Sequence, residues 1–374
     1  MFLRSLKIEN FRNYRSARVE WHEQVNLLQG DNAQGKSNLL EAICFLSLTT
    51  SFRAAAELDL ILNGEPHFYA EGDIHSGERG DFTIAAAFAR DKRRKWKVDG
   101  LPRRRGELVG LLHTVIFSPE DVDLVKAGPL QRRRFLNRQI SQLYPEHVRL
   151  LLRYNRIVAQ RNGCLRFLQQ QAHTAAAAAT AEETLAAWDQ QLALCGAAII
   201  WQRRQVLEQL TPLAAEIHGQ LAAGEKLELR YKSFNGAVEA AGEGEIAALL
   251  VAELQRLRAA ERARGATLVG PHRDDVQIDI AGAPGKGFAS QGQQRTAALA
   301  CKLAELDLAR AHKREWPLLL LDDVLSELDE RRQQALLQKI GGGAQTFIAT
   351  TTPLPLAAGR LWRIEAGQIT GQGI

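Results

Sequence analysis

Over roughly the first 125 residues apolar and polar positions alternate, the period of strands with one face buried. Leu3–Ile8 and Ala17–Trp21 carry this alternation and are predicted to pair, and Val25–Leu28 is a short apolar strand running into a glycine. Further pairs are expected between Glu71–Ile74 and Phe82–Phe88, and at Lys95–Val98 turning on Asp99-Gly100, a dipeptide suited to tight hairpins. From Pro129 to about His218 the period lengthens to that of a helix. Leu150, Tyr154, Ile157, Cys164 and Leu168 form one apolar stripe, interrupted by Arg161, and Leu185, Trp188, Leu192, Cys195 and Ile199 form a second. The alanine-rich Thr174–Thr180 between them reads as a flexible joint, so the prediction is an antiparallel helical hairpin, with an ordinary helical lobe as the other reading.

Beyond this region Leu227–Tyr231 is strand-like and Glu245–Arg264 helical, and the chain then returns to α/β alternation. Val276–Ile280 reads as a strand, Gln291–Lys313 as a helix, and Pro317–Leu321 as an all-apolar strand that ends in two aspartates. A helix from Asp329 and a strand at Thr346–Thr350 follow. A buried Leu-rich strand ending in acids suits the carboxyl edge of a parallel sheet, where ligands bind.

Composition narrows the class. The 374 residues are 45% hydrophobic and 24% charged, which excludes a disordered tail or a collagen-like repeat. The net charge of +5 permits a polyanionic partner without requiring one. Cys44, Cys164, Cys195 and Cys301 stand far apart, against both metal clusters and a disulfide framework. Arg4, Lys7 and Glu9 interrupt any leader-like apolar core, and the longest apolar runs, Leu192–Trp201 and Trp316–Leu321, are too short for a membrane span. The expectation is a soluble cytoplasmic protein with no membrane partner.

Gly30-Asp31-Asn32-Ala33-Gln34-Gly35-Lys36-Ser37 matches G-x-x-x-x-G-K-[ST], the P-loop, between an apolar strand and a helical Asn38–Ile43. The glycines let backbone N–H groups curl around phosphates, Lys36 reaches the β/γ oxygens, and the Ser37 hydroxyl ligates Mg²⁺. The motif therefore implies a nucleoside triphosphate. Asp322, at the end of Leu318-Leu-Leu-Leu, is placed to hold the Mg²⁺ shell, and Asp323 to orient and deprotonate the attacking water.

Ser290-Gln-Gly292-Gln293-Gln294 precedes a helix about thirty residues before Asp322 and resembles the S-G-G-Q signature of ABC-type ATPases, while Ser326-Glu-Leu-Asp329 resembles their D-loop. A serine at a helix start offers a hydroxyl, N–H groups and a dipole to an anion. The resemblance implies a sandwich in which Ser290, Gly292 and Gln293 contact ATP held by a second copy, with Asp329 at the seam.

Phe11-Arg-Asn-Tyr14, the P-loop with its following Asn-Leu-Leu-Glu-Ala-Ile, Phe117-Ser-Pro-Glu-Asp121, Gly270-Pro-His-Arg-Asp-Asp275, the signature and Leu321-Asp-Asp-Val-Leu-Ser-Glu-Leu-Asp329 together resemble the RecF family, bacterial recombination and gap-repair proteins related to SMC heads. The resemblance implies an α/β ABC-type P-loop ATPase head with a mixed sheet and a helical second lobe, without a long coiled coil. It implies residues 1–128 and 266–374 as the ATPase lobe and 129–265 as the helical lobe. It implies weak, DNA-stimulated ATP hydrolysis with Mg²⁺, acting as a switch. It implies ATP-driven dimerisation on gapped or single-strand/double-strand junction DNA without sequence specificity, with RecR and RecO as partners in recombinase loading, replication-gap repair and SOS induction. Arg12 and Asn13 fall where related heads place residues beside the nucleotide. Asp323 stands where ABC transporters carry Glu, and Thr350-Thr-Thr352 where they carry a switch histidine, so slow turnover and different γ-phosphate sensing are expected.

Candidate DNA contacts are the basic runs Lys92-Arg-Arg-Lys-Trp-Lys97, with Trp96 embedded in a hairpin, Arg103–Arg105 and Arg132–Arg134. Each also reads as ordinary surface charge, and Arg132–Arg134 as packing of the helical lobe. His272, in Gly-Pro-His-Arg-Asp-Asp, could line a dimer seam or fix a lobe junction. A transporter subunit lacks support from the signature, an SMC protein from the spacing of about 250 residues between P-loop and signature, and a small-molecule kinase leaves the signature without a role. A nucleotide-stabilised DNA-binding module with incidental hydrolysis remains the alternative.

Overall fold

The alternating segments pair as their period requires. In the computed structural model, which describes residues 1–54, 56–170, 174–222, 224–325, 328–340, 343–352 and 359–373, the chain opens with β1 (Phe2–Phe11), β2 (Tyr14–Glu20), β3 (Val25–Gln29) and α1 (Lys36–Leu48). β4 (His67–Ser76), β5 (Gly80–Ala89), β6 (Arg94–Val98), β7 (Leu101–Pro102) and β8 (Thr114–Phe117) follow. Next come α2 (Asp123–Lys126), α3 (Pro129–Leu143), α4 (Glu146–Gln170), α5 (Ala175–Leu221), β9 (Leu227–Lys232) and α6 (Glu243–Arg264). The chain ends with β10 (Asp275–Ile280), β11 (Ala283–Pro284), α7 (Gly285–Phe288), α8 (Gln291–Lys313), β12 (Leu318–Asp322), α9 (Glu330–Ile340), β13 (Thr346–Thr350), β14 (Arg360–Glu365) and β15 (Gln368–Gly373).

Two compact units divide these elements: Met1–Val122 with Leu213–Glu225 and Ser290–Ile374, and Asp123–Pro212 with Lys226–Ala289. These cuts differ from 128/129 and 265/266. Residues 275–280 pair antiparallel with 227–232, so β10 belongs with the helices rather than with the ATPase lobe. The last turns of α5 fall in the first unit, and the chain crosses between units at Pro212.

The first unit holds two six-stranded sheets. One is β2-β1-β4-β5-β6-β7, all antiparallel, and β4 alternates buried and open positions along its whole length. Asp99 and Gly100, both at positive φ, make the two-residue turn that joins β6 to β7. The other is β15-β14-β3-β13-β12-β8, parallel except for β15. Its strands β8, β12 and β13 are buried at every residue, as a parallel sheet covered on both faces demands. α1 is buried along nearly all its length in the same core as Phe11, Phe45, Phe68, Trp96 and Phe347.

In the second unit the hairpin forms. Leu165 and Leu168 of α4 pack on Leu185 of α5, and Tyr154 and Ile157 on Leu192, Cys195 and Ile199, an antiparallel order. The alanine-rich segment is not a joint: it forms the first turns of the 47-residue α5, consistent with alanine's helix propensity. Arg161, the break in the α4 stripe, is fully buried and ion-paired with Asp189 at 2.7 Å and Glu261 at 2.5 Å. A three-stranded sheet, β11-β10-β9, completes a lobe that is therefore not purely helical.

Candidate nucleotide-binding site

Three parallel strands, β3, β13 and β12, lie side by side and bring the P-loop and the aspartate pair to one carboxyl edge. Gly35 caps α1 at φ 119°, and a Cβ there would lie 2.7 Å from Tyr14 Oη and 2.8 Å from Asn13 Nδ2. At Gly30 a Cβ would come within 2.2 Å of the Ile364 carbonyl oxygen. Both glycines are thus fixed by close approach. No side chain caps α1, which leaves its first amides directed at the loop.

Lys36 Nζ donates to the carbonyls of Gly30 (2.6 Å) and Asp31 (2.8 Å). Burial pushes its pKa down, opposed by Asp323, Asp322 and Asp31. Ser37 Oγ donates to Asp322 Oδ1 at 2.5 Å, so the two halves of the expected metal site meet. Burial raises the Asp322 carboxyl, Ser37 and Arg53 pull it down, and Glu120 and Asp323 add to the rise. Asp323 holds φ 56°, with its N–H on the Ala349 carbonyl at 3.1 Å. Thr350 ends β13 opposite Gln29, the residue that leads into the P-loop, and its hydroxyl bonds Thr352.

Asn13 and Tyr14 act on the loop itself. Asn13 Nδ2 donates to the Gln34 carbonyl (2.9 Å), Asn38 Nδ2 donates to Asn13 Oδ1 (2.8 Å), and Tyr14 Oη donates to the Gly35 carbonyl (3.0 Å). Gln34 is also held from the β14–β15 turn, where Ala366 N–H donates to its Oε1 at 2.6 Å and Gly367 N–H to its carbonyl at 3.2 Å. Arg12 spends its guanidinium on fully buried Glu41, in two bonds of 2.7 and 2.8 Å, and on the Asp59 carbonyl. Exposed Asp31, Asn32 and Ala33 complete the loop, with Ala33 at φ 64°.

The signature forms a separate cluster. Ser290 caps α8, its Oγ accepting from the Gln293 N–H (3.2 Å) while Gln293 Oε1 accepts from the Ser290 N–H (2.9 Å). Gln293 Nε2 donates to Glu225 Oε1 at 2.9 Å. Arg332 joins this end to the D-loop, donating to the Gly292 carbonyl (3.2 Å) and pairing with Asp329 (2.8 Å). Ser326 and Glu327 lie outside the described residues. The hydrogen bonds of Ser290, Gly292 and Gln293 run within this cluster and not to the P-loop of the same chain.

The RecF/RecN/SMC N terminal domain family matches residues 2–359. The DNA replication and repair protein RecF of Symbiobacterium thermophilum is 40% identical over 99% of this chain and 98% of its own. That of Geobacillus kaustophilus is 37% identical over 99% of each. The chain belongs to the RecF family. The solved recombination mediator protein RecF-ATP of the RecFOR pathway matches at TM-score 0.92 and 36% identity, over 100% of this chain and 98% of that one. An SMC head with an extended coiled coil from Pyrococcus furiosus, 14% identical, shares the fold at TM-score 0.57 over 100% and 96% of the chains.

Several basic positions prove structural in this RecF-family chain. Trp96 is 7% exposed and stacks on Phe45 at 5.4 Å, and Arg93 and Arg94 pair with Asp91 and Glu57. Arg105 caps the C-terminal end of α1 through Thr49 (2.9 Å), while Arg103 and Arg104 are exposed. Arg132 is buried against Asp275 (2.7 and 2.9 Å), and Arg133 donates to the Asp274 carbonyl. His272 bonds Tyr154 Oη at 2.7 Å inside the second unit, where burial drives its pKa down to about 4. Asp274, pushed up to about 6 by burial, accepts from Tyr231 Oη. No described helix is long and apolar enough to cross a membrane.

Sequence reasoning missed Glu41, Asn38, Glu225, Arg332 and Arg53. Glu41 lies in a stretch already quoted, but nothing local marks it as the partner of a residue 29 positions earlier.

Proposed function

We propose that this chain is an ATP-driven DNA clamp. ATP joins two copies on gapped or single-strand/double-strand junction DNA, without sequence specificity, and slow DNA-stimulated hydrolysis releases them. The observation that carries the reading is the 2.5 Å bond between Ser37 and buried Asp322, with Asp323 beside them on the same sheet edge. Backbone N–H groups of residues 30–35 and Lys36 bind the phosphates. A hydroxyl and a carboxylate suit Mg²⁺, which keeps waters and phosphates as its other ligands and supplies charge neutralisation at the β/γ oxygens. Asp323 accepts the proton of the attacking water. Asn13 contributes by holding the loop in shape, and Arg12 by anchoring α1 through Glu41.

Ser290, Gly292 and Gln293 serve the nucleotide of the second copy. In support, a Cβ at Gly292 would meet only ordinary contacts at 3.9 Å, so the chain's own packing does not require glycine there. By likeness to the solved mediator of the RecFOR pathway, RecR and RecO are the partners, and recombinase loading, gap repair and SOS induction in the cytoplasm the setting. The other reading, a nucleotide-stabilised DNA-binding module, makes hydrolysis incidental.

Mass in solution and phosphate release, followed together with Mg²⁺–ATP and gapped DNA, separate them. Wild type is expected to double in mass and return as phosphate appears, and Asp323→Asn to stay doubled. Dissociation that runs ahead of phosphate release favours the incidental reading, and no doubling overturns the clamp.

A further inference from the structure

The net charge of the chain is concentrated in one segment. Residues 129–170, spanning α3 and α4, hold nine arginines, no lysine and a single acid, Glu146. The remaining chain holds 39 basic and 42 acidic residues and is net acidic. Whatever makes this protein basic is built into these two helices.

The structure sorts six of the nine by direction. Arg132 and Arg161 turn inward onto carboxylates, and Arg133 donates to a carbonyl. On α4, Arg149, Arg153 and Arg156 are exposed, at successive steps of four and three on one helix face, with exposed Gln160 next in the same row. Tyr154, Ile157, Arg161, Leu165 and Leu168 face the core on the other side. The row from Arg149 to Arg156 spans roughly 10 Å along the helix axis. Arg153 and Arg156 make no ion pair among the described residues. A helix face of like charge self-repels, and an external anion relieves that repulsion at Arg153 and Arg156.

We propose that the outward arginine row of α4 is a docking surface for the phosphate backbone of DNA, which rests on the clamp reading above. Guanidinium groups grip phosphate oxygens bidentately and keep their charge at every working pH. Contacts to phosphate oxygens carry no sequence information, so a row used in this way holds DNA without reading its bases. In the Lys92–Lys97 hairpin, by contrast, Trp96 is core and Arg93 and Arg94 are paired, which leaves Lys92, Lys95 and Lys97 as its exposed charges.

The test is fluorescence anisotropy with duplex and gapped duplex DNA in Mg²⁺–ATP between 50 and 200 mM salt, for wild type, Arg153→Gln/Arg156→Gln and Arg153→Lys/Arg156→Lys. Each lost phosphate contact flattens the salt slope by about 0.9, so the Gln variant shrinks the affinity ratio across that range by about 12-fold. The Lys variant keeps the wild-type slope. An unchanged slope in the Gln variant overturns the proposal, as does equal loss in the Lys variant, which points to damaged packing rather than lost charge. Wild type that binds DNA but never changes mass with ATP defeats the clamp while the slope still judges the row. Wild type that does not bind DNA at any salt defeats both.

Discussion

Replacing Arg161 with methionine removes the buried cation of the second unit while keeping a long side chain. Arg161 is 0% exposed and donates to Asp189 (2.7 Å), Glu261 (2.5 Å) and Thr267 Oγ1 (2.9 Å). Without it Asp189 still has Arg258, and Glu261 still accepts from the Leu268 N–H at 2.8 Å. Stranding one partner of a buried pair costs about 3–5 kcal/mol, and these residual bonds place the loss near the lower end. In a unit of about 150 residues that lowers Tm by about 10 °C. The assay is a calorimetric melt of the full chain. Arg161→Met/Glu261→Gln, which neutralises the stranded acid but keeps its acceptor for Leu268, is expected to recover most of the loss. A single variant melting within about 2 °C of wild type would refute the reasoning, because the triad would then contribute nothing net.

Gly35→Ala puts a methyl group 2.7 Å from Tyr14 Oη at φ 119°. A strain of about 1–3 kcal/mol falls on the loop, so a fluorescent ATP analogue should bind at least about fivefold more weakly. Trp96→Ala should cost about 3–5 kcal/mol in urea unfolding because the ring is core, while DNA affinity of the folded protein stays within about twofold. Burial lowers His113, His147 and His272 to about 4 each, below their ordinary 6.5. Each therefore stabilises fully above pH 6.5 and loses that contribution as pH falls towards 4. Asp274, raised to about 6, works the other way, gaining as pH falls from 6 towards 3.8. Three outweigh one, so Tm should drop by several degrees from pH 7 to pH 5, and a flat profile would contradict these assignments.

Much of this site is visible in the sequence because its chemistry is local. The P-loop, the Leu-rich strand ending in Asp322-Asp323, and Ser290 at the start of Gln291–Lys313 each depend on neighbours a few residues away. Period-2 alternation likewise marked the β1–β2 and β4–β5 pairs. The features that the sequence left open among its basic runs depend on distant partners. Arg132 sits among three consecutive arginines that look alike until Asp275, 143 residues later, selects one of them. Trp96 resembles a nucleic-acid stacker until Phe45 covers it. The alanine run lacked the polar and apolar contrast that marks a helix face, so propensity alone argued for its helix. The arginine row of α4 was hidden for the opposite reason, since its residues are spaced three and four apart and form no run.

The central claim is that the signature of one copy completes the nucleotide site of another. Lys36→Met disables the phosphate side of a site, and Ser290→Arg the signature side. Each variant alone should neither change mass with Mg²⁺–ATP nor release phosphate. In an equal mixture, a dimer of one of each carries one intact composite site, with Lys36 from the Ser290→Arg copy and Ser290 from the Lys36→Met copy. The account predicts that phosphate release reappears on mixing, together with a doubled mass. A mixture as inactive as its components, with no species of doubled mass, would contradict it.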